Sequence, residues 1–187
     1  MISKNNIQEF KNKVKNLEKK DIDLIISDFD DTIFCRNEQL EDSELLRNNR
    51  WNAWNEKILN EIWLEYYWKK YYKNKQITKS IVSKLRKWHD VIITAWEQIL
   101  QDCKLKNVWL EHHNYIVVDS PEKKIIETIK YITDTLWFLP SKITVYEDRP
   151  KYFIEYRQLL ENILTIPVKI MYVEMIDNNN EPKITEI

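Results

Sequence analysis

Apolar residues near the start of the chain recur at helical spacing. Ile7, Phe10, Val14 and Leu17 predict a charged, weakly amphipathic helix over residues 3–20. A short apolar run, Ile22 to Ile26, follows and ends in Ser27-Asp28-Phe29-Asp30-Asp31-Thr32. Residues 35–88 are polar, aromatic and mostly helical in pattern. Beyond them the pattern becomes regular. Val91-Ile92-Ile93 ends in Thr94, and a helix is predicted over 97–105. Tyr115 to Val118 ends in Asp119. Ser120-Pro121 then opens a helix to about 137, with Ser120 as its cap and Pro121 at the first helical position. Ile143 to Tyr146 ends in Glu147-Asp148, a helix is predicted over 150–162, and Val168 to Val173 is the last strand. The tail from Asp177 to Ile187 reads as loose.

Short β-branched runs alternating with helices predict βαβ units and a parallel sheet covered on both faces. In such sheets the ligand lies outside the carboxyl ends of the strands. Asp28, Asp30, Thr94, Asp119, Glu147 and Asp148 should therefore gather along one edge.

The 187 residues suit one domain with an insertion. Hydrophobic residues at 43% and charged residues at 32% fit a packed globular chain and exclude a disordered one. A net charge of -1 excludes a generally basic nucleic-acid coat. Two cysteines, Cys35 and Cys103, cannot form a disulfide framework. With no signal-like leader and no membrane-length apolar run, the expected location is the cytoplasm, with no membrane partner.

The acidic edge has a chemistry. Strand period places Asp28 and Asp30 on one side. With Asp148 from another strand end they make a hard, oxygen-rich site suited to Mg²⁺. One carboxylate there is able to attack a phosphoryl group, while a second protonates the leaving oxygen and then activates water. The Thr94 hydroxyl and a lysine from the first turn of the 121–137 helix would hold phosphoryl oxygens.

Leu24-Ile25-Ile26-Ser27-Asp28-Phe29-Asp30-Asp31-Thr32-Ile33 resembles the first motif of the haloacid dehalogenase superfamily, Asp-x-Asp-x-Thr after a hydrophobic strand. Val91-Ile92-Ile93-Thr94 resembles the second motif, and Val145-Tyr146-Glu147-Asp148 the fourth. Lys123 or Lys124 stands where the third-motif lysine falls, and all four occur in the family's order over residues 24–148. Tyr146-Glu147-Asp148-Arg149 is also similar to the branch associated with RNA repair, although Tyr152 and its neighbours stand where that branch usually has a histidine.

The resemblance implies an α/β fold, a Rossmann-like three-layer sandwich with a parallel sheet and a small helical cap inserted after the first strand. Residues 1–34 and 89–176 would form the core, with 1–20 as an N-terminal helix. Residues 35–88 would form the cap and 177–187 a loose tail. The resemblance also implies Asp28 as nucleophile, Asp30 as general acid/base and Thr94 as phosphoryl ligand. Mg²⁺ would be held by Asp28, Asp148 and the backbone carbonyl of Asp30. Lys123 is favoured over Lys124 because it lies three residues before Ile126, taken as inward-facing.

Charge is uneven along the chain. From Arg47 to Trp88 there are 11 Lys or Arg against 3 Asp or Glu, a basic lid over an acidic site. That suits a small anionic, phosphorylated substrate, with a nucleotide or nucleic-acid end as one form. Tyr66, Tyr67, Tyr71 and Tyr72 are placed to stack on bases. The function expected is a Mg²⁺-dependent phosphatase acting on a phosphomonoester. The alternative is a catalytically silent protein of the same fold that binds a phosphorylated ligand or RNA. His112-His113 lacks partners at zinc spacing, and Asp119 reads as a cap.

One absence changes the picture. The chain has 8 Trp and no Gly, where average usage is about 7% glycine. Trp109 and Trp137 stand where helices should end, positions that favour glycine. Trp96 stands in the loop after the second motif, where the resembled family commonly has glycine. A gene whose UGA codons mean glycine, translated with a table that reads them as Trp, produces this pattern.

Overall fold

The computed structural model describes residues 4–35, 76–85, 87–95, 98–155, 157–174 and 181–187. Among the described residues, six strands form one sheet. The chain begins with α1 (Lys4–Lys15) and β1 (Glu18–Ser27). Next come two short strands, β2 (Phe34–Cys35) and β3 (Gln76–Ile77), and a helical turn, α2 (Lys79–Val82). Then β4 (Val91–Ala95) leads to α3 (Gln98–Asn107), and β5 (Asn114–Val118) to α4 (Lys124–Lys130). β6 (Phe138–Glu147) is followed by α5 (Lys151–Ile154), α6 (Arg157–Leu164), β7 (Val168–Glu174) and β8 (Lys183–Glu186).

The strand order is β5-β4-β1-β6-β7-β8. Every neighbouring pair is parallel except β7 with β8. The central strands are apolar chiefly toward their carboxyl ends, as in Leu24–Ile26 of β1 and Val91–Ile93 of β4, where both faces are covered. One face carries Phe10 and Val14 of α1, Ile125 and Ile129 of α4, and Leu160 and Ile163 of α6. These pack on Leu24, Ile26, Val91, Ile93, Ile143 and Val145. The opposite face gathers Ile81, Leu85, Leu105 and Leu110 with Ile92, Tyr146 and Val173. The chain is thus an α/β sandwich with a mostly parallel sheet. No described helix is long and apolar enough to cross a membrane.

Several boundaries differ from the sequence expectation. β1 begins at Glu18, not Ile22, because Glu18 to Lys20 pair with Phe138 to Pro140. That pairing turns Phe138-Leu139-Pro140 from an expected turn into the start of β6. Pro140 is tolerated there because β7 joins β6 only from Ile143 onward, so one side of the strand is still unpaired. Ser120 makes no side-chain cap bond, and Pro121–Lys123 form a tight 3-10 turn before α4. The expected helix over 150–162 is two helices, α5 and α6. The tail is not wholly loose, since Lys183 to Glu186 pair antiparallel with β7.

Of the expected cap, residues 36–75 and Arg86 lie outside the described residues, with Tyr66, Tyr67, Tyr71 and Tyr72 among them. The residues that flank 36–75 are described. Phe34 pairs with Ile77 and Cys35 with Gln76, and Thr78 donates from its backbone N–H to Ile33 (2.8 Å) and from its hydroxyl to Thr32 (2.9 Å).

The two expected glycine sites among the described residues have left-handed backbone. Trp109 has φ 61° and Trp137 φ 59°. Trp109 follows α3 with the bonds of a Schellman cap: Leu110 N–H to Leu105 O at 2.9 Å, and Trp109 N–H to Lys106 O at 3.2 Å. Asp31 (φ 59°) and Thr165 (φ 58°) share this conformation. A Cβ in this region costs roughly 1–2 kcal/mol. Trp109→Gly and Trp137→Gly should therefore each raise stability by about 1 kcal/mol, read from urea midpoints, and Thr165→Gly should act in the same direction.

Candidate active site

The carboxyl ends of β1, β4 and β6 lie along one edge because the three strands are parallel. β1 ends at Ser27, and Asp28 continues its ladder by donating its N–H to Tyr146 O at 2.8 Å. The chain then folds back on Phe29, whose carbonyl accepts from Ile33 N–H (3.0 Å) and Phe34 N–H (2.8 Å). The stacked Phe29 and Phe34 rings, with centroids 5.3 Å apart, anchor this loop in the core.

Asp28 is nearly buried, and so is the lysine that faces it. Lys124 places Nζ 2.9 Å from Asp28 Oδ1 and 2.7 Å from Glu147 Oε2. Asp28, Glu147 and Asp148 each offer a carboxylate oxygen, all within 4.8 Å of one another. Burial would lower the Lys124 pKa, but the charges of Asp28 and Glu147 outweigh it and hold the ammonium charged well above its usual range. Burial, and then the Asp28 charge, raises Glu147 well above the ordinary glutamate value. The same two causes push Asp148 up to about 6. These carboxylates form a hard-oxygen donor set that could hold a metal ion.

Thr32 couples the two acidic motifs, since Asp148 N–H donates to Thr32 Oγ1 at 3.0 Å. Ser27 Oγ donates to Asp28 O at 2.8 Å. Thr94 is buried at the end of β4, beside Val117 of β5. Trp96 lies outside the described residues.

Asp30 is held differently from Asp28. Lys104 Nζ lies 2.7 and 2.8 Å from its two carboxylate oxygens, and Gln101 Nε2 donates to Oδ2 at 2.9 Å. Gln101 also donates to Ala95 O at 2.9 Å, tying this clasp to the end of β4. The Asp30 side chain is not part of the three-carboxylate cluster. Lys104 and Gln101 were missed by sequence reasoning. Their signal was a lysine and a glutamine three apart, in the helical stripe that Leu105 and Val108 continue.

The preference for Lys123 is corrected. Its side chain is 54% exposed and pairs with Asp119, which is more exposed still, whereas Lys124 is 4% exposed and sits in the site. Ile125 is the buried residue of this stretch and Ile126 only half-buried, so the inward face lies one residue from where the sequence placed it. Asp119 turns to Lys123 and joins no acidic cluster found among the described residues.

Compared with family models, with curated proteins and with solved structures, the chain matches none.

Two predictions follow the lysine and the acids. Lys124→Met strands two buried carboxylates and should cost about 3–5 kcal/mol in urea unfolding, whereas Lys123→Met should change stability by less than about 0.5 kcal/mol. Asp148 binds its proton more tightly folded than unfolded, about 6 against its ordinary 3.8. In chelator, its contribution to stability should fall as pH rises across that interval. Unfolding midpoints at about pH 4 and about pH 7 check this, and the fall should be smaller in Asp148→Asn.

Proposed function

We propose that this chain is a Mg²⁺-dependent phosphohydrolase that cleaves a phosphomonoester through an aspartyl-phosphate on Asp28. The observation that carries the reading is the buried Lys124 ammonium between Asp28 and Glu147, with Asp148 beside them, at the carboxyl edge of the sheet. The four motifs that resemble the haloacid dehalogenase superfamily support it, and with it a core of that family's kind.

In this reading Asp28 attacks phosphorus and the ester oxygen leaves, taking a proton from Asp30. Asp30 then accepts a proton from the water that cleaves the acyl phosphate. This frees Asp28 and releases inorganic phosphate. Lys124, in place of Lys123, and the Thr94 hydroxyl hold the phosphoryl oxygens. Lys104 and Gln101 orient the Asp30 carboxylate. Asp28, Asp148 and the Asp30 backbone carbonyl would hold Mg²⁺, with Glu147 next to them. When bound, the ion offsets the charge of the transferring phosphoryl group. The substrate is a small phosphorylated anion, and a nucleotide or nucleic-acid end fits the basic stretch between the first two motifs. A chain whose two cysteines cannot make a disulfide framework fits the cytoplasm.

The test is phosphate release from a panel of phosphomonoesters, with Mg²⁺ and with chelator. Turnover should require Mg²⁺ and fall to background in Asp28→Asn, and kcat should drop about 100- to 10,000-fold in Asp30→Asn. No turnover from the well-folded chain on any of the panel would overturn the reading and favour the silent, ligand-binding alternative.

A further inference from the structure

The Trp residues at the helix ends are left unexplained by the phosphohydrolase reading, and they carry an inference independent of it. At Trp109 the backbone is left-handed, and the carbonyls of Leu105 and Lys106 are closed by the bonds of a Schellman cap. That position is filled most often by glycine, because no Cβ then meets the preceding turn. At Trp137, φ 59° and ψ 20° repeat the left-handed conformation at a second helix end, that of the π-helical turn Tyr131–Leu136 that follows α4, where its N–H bonds to Ile132 O at 3.2 Å.

Neither indole has a packing reason to be there. Trp109 is 80% exposed and Trp137 73% exposed, among the most exposed large hydrophobic side chains described. Tryptophan is normally retained for the area it buries. Here the largest side chain stands at the backbone position that tolerates side chains least, and it faces water. Asp31, also left-handed, is of a type that adopts this region readily. Thr165 is the remaining described case and is not a tryptophan, so left-handed helix ends in this chain are not all alike.

Composition points the same way. The chain has no glycine at all and 8 Trp in 187 residues. Read as glycine, those eight would give about 4%, which restores a little over half of the ordinary usage of about 7%. One decoding event joins the two observations. UGA differs from the glycine codon GGA only in its first base, and some translation tables assign UGA to tryptophan.

We propose that Trp109 and Trp137 are glycines in the protein as its own cell makes it, specified by UGA codons that the cell decodes as glycine. Trp96, two residues after Thr94 in sequence, is a further position that the same decoding would change.

Two readings of the native material test the proposal. The gene should carry UGA at codons 109 and 137. Peptides spanning these positions, from protein purified from its own source, should show the mass of glycine at each. UGG at either codon, or the mass of tryptophan at either position, overturns the proposal. Because both readings use the native gene and protein, neither depends on whether a variant folds or on phosphatase activity.

Discussion

Three carboxylates gathered at one buried edge will not stay there unaided. Glu147 and Asp148 lose hydration, and the Asp28 charge raises the cost of charging both. The Lys124 ammonium makes that arrangement tolerable by touching two of them at hydrogen-bond distance. The lysine must itself be buried to do so, and α4 must be packed firmly enough to keep it there. Ile125 and Ile129, on the sheet-facing side of that helix, supply the packing. The cost of desolvating one ion is thus met by the charges of its neighbours, and the cluster stands or falls as a unit.

The two arms of the site are fastened by different means. Asp28 is set by the β1–β6 ladder, and Asp148 is tied to the same loop through Thr32. Asp30 is held from the far side of that loop by Lys104 and Gln101 of α3. The Asp-x-Asp-x-Thr segment therefore sits where three elements meet, and each of its polar positions answers to a different one. A small shift of α3 would move Asp30 with little direct effect on Asp28.

Much of this was legible in the residues. The apolar runs ending in acids gave the parallel sheet and the edge on which Asp28, Thr94, Glu147 and Asp148 would lie, because strand period and right-handed βαβ connection leave little choice. The choice between Lys123 and Lys124 was not legible. It depends on the phase of a helix that opens with a 3-10 turn, and three residues per turn instead of 3.6 shift which side chain faces inward. The start of β6 was hidden by Pro140, a residue ordinarily read as a breaker. β8 was hidden because an edge strand half in water needs little apolar patterning; only Ile184 among its four residues is apolar. The Lys104–Gln101 clasp was obscured because polar residues on a buried stripe look like a weak helix until their partner is known.

The small β2–β3 ribbon has a consequence for how this chain tolerates change. It pairs Phe34 with Ile77 and Cys35 with Gln76, and is pinned to the loop before it by Thr78 on Thr32 and Ile33. The segment from Asp28 to Thr32 is thus fixed at both ends, by the β1–β6 ladder on one side and by the ribbon on the other. A single-residue insertion between Asp28 and Thr32 has no slack to absorb it and would break the spacing on which the site is built.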